Sequence, residues 1–338
     1  MTIPHNSPTF YWAGFFTLSL RIVTGWTYFS AFWRRLVLEN KLDPETAGYI
    51  GEKFNHFLPN ALGIQPLIEY LVTHPDALWW SMISFTIIEG IVGLFFMLGL
   101  FTRLMSIGVF FLALGILLGA GWLGTTCLDE WQIGVLGLAS GFTVFFTGGG
   151  KFALDNYLPF LKRNPLAAFL TSGPLPLSKE KMLFTGITGT LFITFMTLFT
   201  NQYFHGGVWG TLHNKSVKPK IALETLQYHN NALHFSVYRT EGADVYGSFL
   251  IGISLQDAAA KTVFALQHDE LAAFPEEQIQ NKHVAKIKPG KHSLVIPLGA
   301  KAVITLNAKE IQDLPRGAYT LVLTDISGIQ WSKPLIIE

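Results

Sequence analysis

The sequence predicts a membrane-embedded all-α helical bundle followed by a small all-β, immunoglobulin-like sandwich, and three observations carry that expectation. Half of the 338 residues are hydrophobic and only 14% are charged, with a positive mean hydropathy, a balance that a surface facing water could not use. Five stretches are long and apolar enough to cross a hydrocarbon core, which takes about 20 helical residues. From Lys220 onward the pattern changes to short alternating runs broken by Gly, Asn, Asp and Pro, as strands and turns require.

The same composition excludes several classes. A formal charge of +1, with no Lys and Arg run interleaved with aromatics, leaves no footprint for nucleic acid. The single cysteine, Cys127, rules out an internal disulfide framework and any CxxC pair. The opening MTIPHNSPTFYWAG lacks a basic n-region, so it reads as retained helix and not as a signal peptide.

Residues 10–33 make the first expected span. A long polar loop over 34–77 follows, with Pro44, Gly48, Gly51, Pro59, Pro66 and Pro75 between amphipathic pieces that suit an interface. Residues 79–100, 104–123 and 128–146 give three spans joined by short turns, hence adjacent antiparallel helices. Glycines about a turn or two apart in these spans permit close backbone approach. A basic, proline-rich linker over 147–181 leads to a fifth span over 182–203. The positive-inside rule then places the N-terminus and the linker in the cytoplasm. The 34–77 loop, the 121–132 turn and the C-terminal domain fall outside the cytoplasmic membrane, on the periplasmic side. In the last region LHFSVYR, SFLIGISL, TVFALQ, HSLVIPL, AVITLNA, AYTLVLTD and PLIIE suggest seven or eight strands.

Charges inside spans come next, because an ionisable group at bilayer depth costs about 2.5–3.5 kcal/mol. Arg21 and Glu89 each sit near the middle of a span, and an Arg21–Glu89 pair is expected, either a staple of the bundle or a proton or quinone site. The turn at 121–132 concentrates Cys127, Asp129, Glu130 and Trp131 at the membrane edge. It reads as an interfacial anchor with a helix N-terminus, or as a reactive thiol whose pKa that N-terminus lowers. Arg34 and Arg35, at the outer end of the first span, suit headgroup anchoring or a small oxyanion. His56, His74, His205 and His213 have no metal-site spacing, and no metal, haem or flavin is expected. Gly148-Gly-Gly-Lys151 reads as a helix stop, lacking the frame of a phosphate loop.

At these residues a resemblance emerges. EGIVGLFFMLGLFTRLMSIG at 89–108 resembles the signature of the DoxX/DoxD membrane family. LRIVTGWTYFSAFWRR resembles that family's opening Arg-containing helix, and GGGKFALDNYL at 148–158 its closing segment. WRRLVLENKLDP, the GTTCLDEWQ turn and the appended β region are similar to the small subunits of thiosulfate:quinone oxidoreductases, in which a DoxD membrane subunit works with DoxA. LPRGAYTLVLTDISGIQWS resembles DoxA, here joined to DoxD. The resemblance implies a four-helix DoxX-like core over 1–160, a linker and fifth transmembrane helix over 161–206, and a DoxA-like β domain over 207–338.

The implied reaction oxidises thiosulfate to tetrathionate and passes electrons to a membrane quinone. The family pattern falls on Arg21, Glu89, Arg103 and Asp155, and the narrower group adds Arg34, Arg35, Cys127, Asp129, Glu130 and Trp131. On that basis Arg34, Arg35 and Trp131 are expected to bind thiosulfate. Cys127, with Asp129 and Glu130, would be the catalytic turn and a transient sulfur carrier, and Arg21 and Glu89 would line the quinone or proton path. Beyond thiosulfate, quinone and the lipid bilayer, a homo-oligomer is compatible with the sequence. A competing reading is a non-enzymatic membrane assembly protein, or a small-solute transporter, whose β domain docks a partner. Five spans without an inverted repeat match the common transporter plans poorly.

Overall fold

The computed structural model describes residues 8–46, 48–124, 129–158, 163–173, 175, 177–244 and 248–337, with side chains from Trp12 onward except that of Asp129. The chain divides into two compact units. Met1–Ile50, Trp79–Trp122 and Cys127–His213 form the first; Gly51–Leu78, Leu123–Thr126 and Asn214–Glu338 form the second.

The first unit is helical. Its helices are α1 (Pro8–Phe16), α2 (Leu18–Phe32), α5 (Pro75–Leu98), α6 (Thr102–Ala120), α7 (Asp129–Thr147), α8 (Pro165–Leu170) and α9 (Lys179–His205), with α3 (Gly51–Phe57) and α4 (Gln65–Thr73) in the second unit. The first expected span is not one helix: it breaks at Thr17 and passes after Phe32 into a π-helical stretch, Trp33–Leu38. Tyr28, Val92, Phe96, Met105, Val109, Leu112 and Val144 form one buried cluster, so α2, α5, α6 and α7 share a core.

Of the described helices, three are long and apolar enough to cross a membrane: α5, α6 and α9. These mark the chain as a membrane protein. None of the most apolar stretch of α9 is buried, and Leu183, Phe184, Leu191 and Phe195 lie open, a surface that lipid satisfies and water does not.

The second unit is built on antiparallel sheets. Its strands are β1 (Lys220–His229), β2 (Ala232–Glu241), β3 (Ser248–Asp257), β4 (Thr262–Gln267), β5 (Ile279–Asn281), β6 (Lys288–Pro289), β7 (Leu294–Ile296), β8 (Lys301–Leu306), β9 (Gly317–Asp325) and β10 (Gln330–Ile337). Among the described residues there are thus ten strands, not seven or eight; the seven expected runs fall on β2, β3, β4, β7, β8, β9 and β10. The strands β5 and β6, of three and two residues, are too short to leave an alternating pattern, and β1 falls in none of the expected runs. One sheet runs β1-β2-β8-β5, the other β10-β9-β3-β7-β6 with β4 beside β3. Asn230 and Asn231 turn β1 into β2 with φ of 51° and 56°, the left-handed pair a two-residue hairpin needs. Phe235 and Ile304 of the first sheet and Ile253, Leu321 and Leu323 of the second share one core; alternation along each strand turns these side chains to one face.

Two segments from the helical part of the sequence also belong to this unit. Gly51–Leu78 carries α3 and α4 and has its own cluster of Leu58, Ala61, Ile68 and Val72. Leu123–Thr126 lies at the start of the cysteine-bearing turn. The expected loop over 34–77 is therefore divided between the two units.

Candidate functional site

Polar groups in the helical unit gather in two places. The first is a knot built from the segments between helices. Asp155, fully buried, accepts from the backbone N–H of Phe101 at 2.7 Å, of Thr102 at 3.0 Å and of Ser172 at 2.7 Å, and from the Thr102 hydroxyl at 2.7 Å. Four donors on one carboxylate satisfy the charge that burial strips of water. Ser172 donates to Thr102 Oγ1 and receives the Gly149 N–H. Arg103 donates to the carbonyls of Phe145, Phe169, Thr171 and Gly173, the orphan acceptors that helix ends leave behind.

Arg21 belongs to this knot. Its Nη1 donates to Gly149 O at 2.6 Å and its Nη2 to Phe152 O at 3.5 Å. The expected Arg21–Glu89 pair is therefore not formed. Spacing along two spans cannot register the carbonyls of the Gly148–Gly150 turn, and these reach the guanidinium first.

The second place is the middle of α5. Glu89 is 3% exposed, and its Oε2 accepts from Arg35 Nη1 at 2.5 Å. Two local features bring the partners together. Gly90 leaves room for Phe32, since a Cβ there would fall 2.6 Å from that ring, and Gly93 lies against Gly25 and Phe29 in the same way. The backbone of α2 thus approaches α5 closely. Arg35 then sits on the π-helical stretch, a wider turn that is rare in general and frequent at functional sites. An open apolar groove of about 390 Å³ is lined by Leu36, Asn40, Leu42, Asp43, Pro44, Trp79, Ile83 and Ile87. Its walls include the residue after Arg35 and three residues of α5, of which Ile87 stands two before Glu89.

Tyr28 adds a group that the sequence did not single out. It is 2% exposed, and among the described residues its hydroxyl has no hydrogen-bond partner. A buried tyrosine hydroxyl ordinarily finds one. Only a polar letter inside an apolar span marks it in the sequence.

The remaining expected residues are dispersed. Arg34 is exposed. Trp131 donates its indole N–H to Thr200 Oγ1 at 3.0 Å, tying α7 to α9. Glu130 is half-buried at the start of α7. Cys127 and the side chain of Asp129 lie outside the described residues. Among the described residues no group of three or more His, Cys, Asp and Glu side chains is placed to hold a metal ion.

Residues 16–178 match a family described as TQO small subunit DoxD. Residues 204–334 match one described as TQO small subunit DoxA. No solved structure matches the chain.

Proposed function

Because the chain belongs to the DoxD family over residues 16–178 and to the DoxA family over residues 204–334, we propose that it is a membrane thiosulfate:quinone oxidoreductase with both subunits in one polypeptide. Two thiosulfates each give up one electron and join through a new sulfur–sulfur bond as tetrathionate. The two electrons, with two protons, reduce a quinone to the quinol.

The observation that carries the reading is the buried Arg35–Glu89 pair with the apolar groove in the same stretch of α5. An apolar cleft with a few polar groups is the usual form of a site for a small apolar ligand, at roughly 300–1,000 Å³. A quinone ring in this groove would lie beside Leu36 and Ile87, near neighbours in sequence of Arg35 and Glu89, with Glu89 assigned as the carboxyl that passes protons and Arg35 as the cation that stabilises negative charge on the quinone oxygen. Arg21, committed to the Gly149 and Phe152 carbonyls, holds the helix ends and leaves this path to Glu89. Thiosulfate, a dianion, would be drawn to Arg34, with Cys127 as the sulfur carrier and Asp129, Glu130 and Trp131 framing its turn.

We assign five spans, with the N-terminus cytoplasmic and the β domain extracytoplasmic. Two groupings support this. Gly51–Leu78, Leu123–Thr126 and the C-terminal strands, all assigned outside by charge, fall in one compact unit. Phe101, Thr102, Gly149, Asp155 and Ser172, all assigned inside, fall in one knot.

The test is thiosulfate-dependent reduction of a soluble quinone analogue by the detergent-purified chain, with tetrathionate assayed in the same tube. One tetrathionate per quinol is expected. No turnover with several quinones would favour the assembly or transport role instead.

A further inference from the structure

In the second unit, segments of the DoxD-family part of the chain meet the DoxA-family strands through a polar seam. Asn55 is fully buried; its Nδ2 donates to Gly299 O at 3.1 Å and its Oδ1 accepts the Ala285 N–H at 3.1 Å. The Val284 N–H donates to Val72 O at 3.1 Å. Asn60 donates to Thr240 O at 3.0 Å and receives Lys215 Nζ at 3.0 Å, and Lys53 meets Asp244 at 2.7 Å. Asn214 and Ser216 both donate to Gly124 O, at 2.9 Å and 2.5 Å. At Gly299, with φ of 74°, a Cβ would fall 1.8 Å from Asn55 O, so only glycine admits the contact.

Among the described residues, the apolar cluster of the β strands and that of the 51–78 segment share no member. The β core contains no residue of 51–78, while Leu58, Ala61, Ile68 and Val72, backed by Phe54 and Phe57, form a separate cluster. A single folding core cut by chance would mix its apolar residues. Two self-sufficient modules joined by directional hydrogen bonds resemble the interface of separable partners.

We propose that this seam is the recognition surface through which a DoxA-type β domain binds the outer loop of a DoxD-type membrane subunit, with Asn55 as its central anchor. The bond network, not the covalent link after α9, then holds the β domain in place. Gly124 extends the surface to within three residues of Cys127 in sequence, so the β domain also holds one end of the cysteine-bearing turn. The proposal reads no activity and stands whatever substrate the protein takes.

The experiment uses the full chain in detergent with a protease site inserted at Gly210, where an added Cβ meets nothing within 4 Å. After complete cleavage the β fragment should co-elute with the membrane fragment on size exclusion; its release would overturn the proposal. In the cut chain Asn55→Ala strands the buried Ala285 N–H and leaves Gly299 O only its contact with His283 Nδ1, and should speed dissociation by about tenfold or more. Gly299→Ala should do the same, and Lys53→Met should act in the same direction by a few-fold. Unchanged dissociation in all three variants would overturn the assignment to this seam. The fragment freed from Asn55→Ala should keep the near-UV circular dichroism of a folded β domain; unfolding on release would overturn the claim of separable modules.

Discussion

Arg35 Nη1 donates to Glu89 Oε2 at 2.5 Å, joining the π-helical end of α2 to the centre of α5. Glu89 is almost fully enclosed and Arg35 about one-quarter exposed, so the pair has one dry end and one wet end.

Glu89→Gln keeps the shape of the side chain and removes the acid. Quinone reduction should fall by about 100-fold or more, the usual scale for loss of a general acid or base. Steady-state rates with a saturating quinone analogue measure it; an unchanged kcat would exclude Glu89 from the proton path.

Arg35→Ala leaves a buried carboxylate without its partner. Breaking such a pair from one side costs about 3–5 kcal/mol, whereas Arg35→Met with Glu89→Gln removes both charges and should recover most of the loss. Thermal unfolding in detergent of the two singles and the double checks the ordering.

Asp155→Ala should destabilise the helical unit by a comparable amount, about 3–5 kcal/mol, because a buried charge network loses its acceptor. Unlike Glu89→Gln, it should lower the melting temperature and leave the kcat of the surviving folded protein near wild type. A selective loss of kcat would move Asp155 into the reaction.

His56 should make the second unit acid-sensitive. Burial pushes its imidazole down to about 4, with Lys53 adding to the fall, Asp244 opposing it and Arg239 adding a little. The folded value lies below the ordinary one of 6.5. Between the two the unfolded chain binds a proton that the folded chain refuses, so stability drops as the pH falls from about 6.5 to about 4. The loss is up to about 3 kcal/mol. Melting curves across that range should slope in the wild type and flatten in His56→Gln.

Cys127→Ala decides the route of the sulfur. Loss of tetrathionate formation to background, with the melting temperature unchanged, is expected of a covalent carrier. Full activity would leave direct electron transfer from bound thiosulfate to quinone.

The elements with strong patterns were legible in the sequence. The helices α5, α6 and α9 fall within a few residues of the expected spans because unbroken apolar runs admit no other fold in lipid. The strands β2, β3, β8, β9 and β10 were visible through alternation. What sequence pattern does not encode is where backbone carbonyls end up. Arg21 was therefore matched with the nearest opposite charge, Glu89, when two carbonyls of the 148–152 turn hold it. Asn55 was invisible for a related reason: one amide in a polar loop carries no signal until its partners, more than 200 residues away, are in place.

The Asn55–Gly299 contact spans 244 residues, and that separation sets an order for biogenesis. At about 5–20 residues per second the ribosome needs roughly 10–50 s to reach Gly299 after Asn55. On the proposed topology the loop crosses the membrane during that interval with its recognition groups unanswered. On that topology the β domain, made last, closes onto a loop made more than 200 residues earlier.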